Sequence, residues 1–170
     1  MFGGNDCELS FNDIWMLYIG VQVPQAHLYR DMLNLLDTGE FSDVTFIINE
    51  TRIKGHKCIL ASRSSFFKNM FTVGMRESEE SIISVQDISL PTFMKLLEFI
   101  YSDQLNDLES AEQAIDVLVA ANKYGLDRLK RLCEKYLVQL IDLENVVELL
   151  YLSDMHQAME LKRMCINFTM

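Results

Sequence analysis

GHKCILASRSSFFKNMF, residues 55–71, decides how this chain is read. Its apolar residues gather in two short groups, Ile59-Leu60 and then Phe66, Phe67, Met70 and Phe71, parted by Ser62-Arg63-Ser64. The spacing predicts two short helices, 57–62 and 64–71. Just before them, Asp43–Ile48 reads as a strand with Val44, Phe46 and Ile48 on one face. Asn49-Glu50 is a turn signal, and Arg52-Ile53-Lys54 pairs back as a short second strand. Ile47 makes the other face of the first strand apolar too, which predicts a strand covered on both sides.

Just after them the chain turns charged, with Met75 standing two residues before Glu77. A large flexible apolar side chain beside an acid in a loop has two readings. Met75 folds back onto the core, or Met75 and Glu77 together anchor a partner. Ser81–Val85 follows as a third strand. A helix opens near Pro91, which suits a first turn because its missing N–H has no intrahelical partner there. Phe93, Leu96, Leu97, Ile100 and Tyr101 form its buried stripe.

Further out, residues 27–38 are amphipathic, with Leu28, Met32, Leu35 and Leu36 on one stripe and Gly39 placed to end the helix. Upstream, Met16–Val23 looks extended until Pro24 stops it. It fits an added edge strand, a strand exchanged with a partner subunit, or the remainder of a longer upstream region. After Asp107 the pattern is wholly helical. Residues 111–124 bury Ala114, Val117, Leu118 and Ala121, and Gly125 caps them. Residues 126–140 bury Leu129, Leu132, Cys133, Tyr136, Leu137 and Leu140. Asp142 is read as the N-cap of the next helix, with Val146, Leu149 and Leu150 inside. A last helix from about residue 157 buries Leu161, Met164, Cys165 and Phe168. Its pattern is still running at Met170, which reads as a trimmed rather than a natural end. The fold class is α+β: a small mixed sheet with a cluster of short helices, followed by helical hairpins.

The 170 residues are 49% hydrophobic, enough for a core without staples, and carry 15 basic against 25 acidic side chains for a net charge of −10. Such a chain repels phosphate backbones, and no basic patch with interleaved aromatics offsets this, so nucleic acid is not an expected partner. The four cysteines, Cys7, Cys58, Cys133 and Cys165, form no CxxC pair. Cys58, Cys133 and Cys165 sit within apolar patterns and read as buried thiols in a reducing compartment. The first ten residues, MFGGNDCELS, are not a signal peptide, and no apolar run approaches a membrane span. A cytoplasmic or nuclear protein is expected.

No hydrolase elbow, phosphate loop or GxGxxG occurs, and His27, His56 and His156 are isolated. His56-Lys57-Cys58 lacks a third group to orient a nucleophile. Glu77, Glu79 and Glu80 read as a solvated loop edge rather than a metal site. With no catalytic set, metal or cofactor in view, the expectation is a non-enzymatic binding module.

FSDVTFII (41–48), GHKCILASRSSFFKNMF (55–71), LPTFMKLLEFIYSDQL (90–105) and LVAANKYGLDRLKRLCEKYL (118–137), in this order, closely resemble the BTB/POZ family from about Leu28 to Leu140. The residues from Asp142 onward resemble the start of a BACK-type extension, called the 3-box in cullin-binding members. The resemblance divides the chain into an extension at 1–26, a BTB/POZ domain at 27–140 and a 3-box at 141–170. The whole is most similar to cullin-3 substrate adaptors of the speckle-type POZ protein and kelch-type kind.

The resemblance implies a homodimer built on the first helix, with Leu28, Met32 and Leu35 at the contact and Ile59 behind them. The stripe alone leaves open that this face turns to its own core. The resemblance also implies cullin-3 binding. Met75-Arg76-Glu77 matches the apolar-x-Glu loop motif of such adaptors, and Tyr124 matches a second contact position, where packing at a helix end is the plainer alternative. Substrate would be read by a domain outside this chain. Two rivals stand beside this reading: a transcription-type dimer that recruits a corepressor, and a pure assembly domain.

Overall fold

The computed structural model describes residues 26–72, 81–106 and 108–170. In chain order its elements are α1 (Leu28–Thr38), β1 (Val44–Ile48), β2 (Thr51–Gly55), α2 (Lys57–Arg63), α3 (Ser65–Thr72), β3 (Ile82–Ser84) and α4 (Leu90–Ser102). Four more helices follow: α5 (Ala111–Lys123), α6 (Asp127–Val138), α7 (Val146–Met155) and α8 (Met159–Thr169). This is the α+β architecture expected from the sequence. The extended stretch at 16–23 lies outside the described residues.

The sheet runs β2-β1-β3. β1 and β2 are an antiparallel hairpin in register from Val44↔Gly55 to Ile48↔Thr51. Both turn residues are left-handed, Asn49 at φ 45° and Glu50 at φ 69°, as a two-residue hairpin loop requires. β3 runs parallel to β1, with Thr45 opposite Ile82, so the chain must cross over between them, and α2 and α3 make that crossing. Val44, Phe46 and Ile48 are buried in the core, as expected. Ile47 is only half-buried, so the second face of β1 is partly open rather than covered.

α4 is the central helix. Ser89 caps it by accepting the Thr92 amide, and Pro91 occupies the first turn. Phe93, Leu96, Leu97, Phe99, Ile100 and Tyr101 are all buried. An apolar surface this wide needs neighbours on several sides, and α1, α2 and α5 all pack on α4.

α5 ends in a Schellman motif: the Leu126 amide donates to the Ala121 carbonyl at 2.9 Å and the Gly125 amide to that of Asn122 at 3.4 Å. Gly125 has φ +66°, and a Cβ there would lie 2.3 Å from Ser65 Oγ, so strain and space both require glycine.

The C-terminal helices depart from expectation in several places, and Leu132, Tyr136 and Leu150 are half-buried rather than buried. Leu140 is exposed, just past the end of α6. α7 starts at Val146 rather than at Asp142. Asp142 instead caps the turn ahead of it, accepting the Glu144 and Asn145 amides while Asn145 Oδ1 accepts its own. On α8, Leu161 and Cys165 are buried but Met164 is only half-buried. Phe168 is 47% exposed because it stands in the last turn, beyond the reach of the neighbouring helices.

α8 is capped from a distance. Ala158 at its start has no side-chain cap. The buried carboxylate of Glu134, on α6, accepts the amides of Glu160 at 2.9 Å and Leu161 at 3.1 Å. These are orphan donors of the first turn. A charged acceptor at the positive end of the helix makes strong bonds there.

Cys133 and Cys165 are buried free thiols, and burial pushes the Cys133 thiol up to about 12. Cys58 is a correction: it is exposed. In the seven residues of α2 only Leu60 is buried, and Cys58, two positions earlier, lies on the opposite side. Among the described residues no helix is long and apolar enough to cross a membrane.

Candidate interaction surfaces

Tyr124 closes α5 and is 2% exposed. Its ring lies 4.7 Å from Phe66, 5.2 Å from Phe67 and 6.2 Å from Phe93, centroid to centroid. Phe46 joins the same cluster through Phe67 and Phe93. Tilted and edge-on aromatic pairs at these distances add to the burial of their area. The Tyr124 carbonyl accepts a 2.5 Å hydrogen bond from Ser64 Oγ, which also accepts the Phe67 amide and so opens α3. Burial, and then the charge of Asp87, push the Tyr124 phenol up to about 12.

A cleft of about 180 Å³ runs beside this ring, lined in part by Asp87, Ser89, Asp116, Lys123 and Tyr124. Lys123 pairs with Asp87 and lies 5.4 Å from the Tyr124 ring and 5.8 Å from that of Phe66. Its hydrogen bond holds the Asp87 carboxyl below the usual carboxylate range. Tyr124 is thus a core residue whose edge borders a surface cleft.

The loop that carries Met75 and Glu77 leaves α3 after Thr72. Both residues lie outside the described ones. The helix at its root is held by Phe71, which stacks on Phe67 at 5.9 Å and 13° and carries the Lys57 ammonium 5.5 Å from its ring.

The expected dimer stripe on α1 divides. Leu36 is buried, Met32 and Leu35 are half-buried, and Leu28 is 73% exposed. Ile59 on α2 is half-buried and packs against the core. α1 and α2 both rest on α4. The outer part of α1 therefore offers apolar surface that its own fold leaves uncovered.

Sequence reasoning missed one buried polar cluster. His56 is buried, with Nε2 2.7 Å from the Glu40 carbonyl and Nδ1 2.7 Å from the Tyr101 hydroxyl. The His56 amide also donates to that hydroxyl at 3.0 Å. A carbonyl only accepts, so these partners assign the proton to Nε2 and make Nδ1 the acceptor from Tyr101. Burial pushes the Tyr101 phenol up to about 12, against the opposing effect of the His56 amide. One residue on, the Lys57 amide donates to Asp43 Oδ1 at 2.7 Å, tying the start of α2 to the start of β1. These contacts hold the fold together. Local periodicity carries no sign of them, since Tyr101 is 45 residues from His56.

Among the described residues, no group of three or more His, Cys, Asp or Glu could hold a metal ion. What the fold offers is surface: the outer α1 face, the cleft at Tyr124 and the apolar side of the C-terminal helices. The family model of the BTB/POZ domain matches residues 32–141, well over half of the chain. With the mixed sheet and its helical cluster in agreement, this chain belongs to the BTB/POZ family, whose domains associate with one another and with other proteins and are generally not enzymes.

Proposed function

We propose that this chain is a homodimeric adaptor domain that docks the N-terminal helices of cullin-3 and so brings a substrate, held by a domain outside this chain, to a ubiquitin ligase. It would catalyse nothing itself. It would raise the effective concentration of substrate near a ubiquitin-loaded enzyme, and pairing would double the valency. The observation that carries the reading is the Phe66–Tyr124 contact. It brings the end of α5 against α3, the helix that precedes Met75-Arg76-Glu77 in sequence. Met75 suits a pocket on a partner helix because its side chain is flexible and polarizable. Tyr124, being buried, would act through its edge and by holding the loop's root. The dimer contact is proposed at Leu28, Met32 and Leu35 with Ile59 behind them, where the exposed Leu28 and the half-buried Met32 and Leu35 leave apolar surface for symmetric pairing. Residues 141–170 would serve as a 3-box.

Size-exclusion chromatography with light scattering, run alone and with the N-terminal domain of cullin-3, tests this. A dimer that shifts to a two-plus-two complex is expected. Met75→Ala and Glu77→Ala should each weaken the complex about tenfold, as anchor residues do. A dimer that ignores cullin-3, or unchanged affinity in both variants, would leave corepressor recruitment or plain assembly as the function.

A further inference from the structure

Charge is unevenly shared among the last three helices. From Asp142 to Met155 stand Asp142, Glu144, Glu148 and Asp154, with no lysine or arginine. α6 and α8 carry Arg128, Lys130, Arg131, Lys135, Lys162 and Arg163 against Asp127, Glu134 and Glu160. A chain of net charge −10 thus has a locally basic pair of helices beside an acidic one.

The acidic helix also shows apolar surface. Val147, Tyr151 and Met155 lie at i, i+4 and i+8 on α7 and are 73%, 65% and 57% exposed. Leu143, in the turn before α7, is exposed as well. This is one stripe down the outer face, with Glu148 and Asp154 on its flanks, Asp154 being paired with Lys162 of α8 at 2.5 Å. Isolated exposed apolar residues need no explanation, but a contiguous row of them marks a contact surface.

The basic pair encloses space. Two cavities of about 340 Å³ each lie on the α6–α8 seam and share Arg131, Glu134 and Glu160. The second has an apolar floor at Val138 and Met164 and a cationic rim at Arg131, Lys135 and Arg163. Glu134 does not disturb this rim, because its carboxylate is turned to the α8 amides. Glu160 pairs with Arg163 at 2.7 Å. No α7 residue lines either cavity.

We propose that the acidic, apolar face of α7 in one copy of this chain seats in the basic α6–α8 groove of a second copy. The match is that of an amphipathic helix in a groove: anchors at i, i+4 and i+8 meet an apolar floor, and acidic flanks meet a cationic rim. The two faces lie on neighbouring helices, so copies join through them either reciprocally, as a two-fold pair, or head to tail, in a ring or an open series. The contact is separate from pairing through α1, while α7 and α8 fall within residues 141–170, which the proposed function uses as a 3-box.

Sedimentation velocity of the full chain over a concentration series tests this. The average mass should climb past the dimer as concentration rises and fall back in about 1 M salt, which screens the rim. Tyr151→Ser removes an anchor from one face, and Arg131→Glu reverses the rim of the other. Both side chains are exposed, so both variants should keep the parent melting temperature. Each alone should associate about tenfold more weakly. Their mixture should regain heavier species, because the first keeps its groove and the second keeps its α7 face. A mass that does not respond to concentration, parent-like association in both variants, or a mixture that recovers nothing would each overturn the proposal.

Discussion

The Tyr101 hydroxyl stands between two atoms of His56, accepting from its amide at 3.0 Å and donating to its ring at 2.7 Å. One phenol thus satisfies both the start of α2 and a buried imidazole, whose other nitrogen holds the Glu40 carbonyl. Tyr101→Phe keeps the ring and removes both bonds, leaving an amide and a ring nitrogen unpartnered in the interior. Buried unsatisfied groups cost about 1–3 kcal/mol. Urea unfolding followed by circular dichroism should show a lower midpoint with an unchanged slope.

Gly125→Ala should destabilise by more than the usual surface change. Alanine at φ +66° is strained, and its methyl would meet Ser65 Oγ at the first residue of α3. A loss of about 1–3 kcal/mol is expected from the backbone alone. Ser65→Gly in the same chain should recover the steric part and leave the strain, which a melting series on the single and double variants would separate.

Glu134→Ala should loosen α8. The substitution removes the only side-chain acceptor described for the Glu160 and Leu161 amides. Loss of an N-terminal cap costs about 0.5–2 kcal/mol. Hydrogen exchange should quicken at residues 160 and 161 while the amides of α4 keep their protection, because the damage lies at one helix end. Glu134→Gln retains an acceptor oxygen without the charge and should fall between the two.

Alkaline pH should destabilise the fold through three buried groups. The Tyr101 and Tyr124 phenols are raised from 10.0 to about 12, and the Cys133 thiol from 9.0 to about 12. The folded chain therefore keeps protons that the unfolded chain releases. Their contribution is intact below pH 9.0 and is lost as pH rises through about 12. A urea midpoint that falls across this window, less steeply in Cys133→Ala than in the parent, is the expected result.

The helices were largely legible because their signals are local. Pro91 in the first turn of α4, Gly39 after α1 and Gly125 after α5 announce their ends within a turn. The hairpin was equally plain from Asn49-Glu50. The clamp on His56 and the cap from Glu134 were not, since each joins elements far apart in sequence and neither residue is marked out by its neighbours in the chain. Cys58 was misread because an apolar run in so short a helix buries just one side. Of the candidate site, Tyr124 was found by resemblance and not by pattern, since in pattern it is simply the aromatic that ends α5. Met75 and Glu77 rest on the loop motif alone.

The place of β1 between an antiparallel and a parallel neighbour sets the order in which the sheet can form. The β1–β2 hairpin closes over two residues, an event of about 1–10 μs. β3 meets β1 only after the intervening helices and loop have been gathered in, and the entropy of that closure falls before any pairing repays it. The hairpin is therefore the early, local half of the sheet, marginal until the rest packs on it. α2 and α3 stand between the two halves in sequence, so the sheet is completed only once both helices have been made.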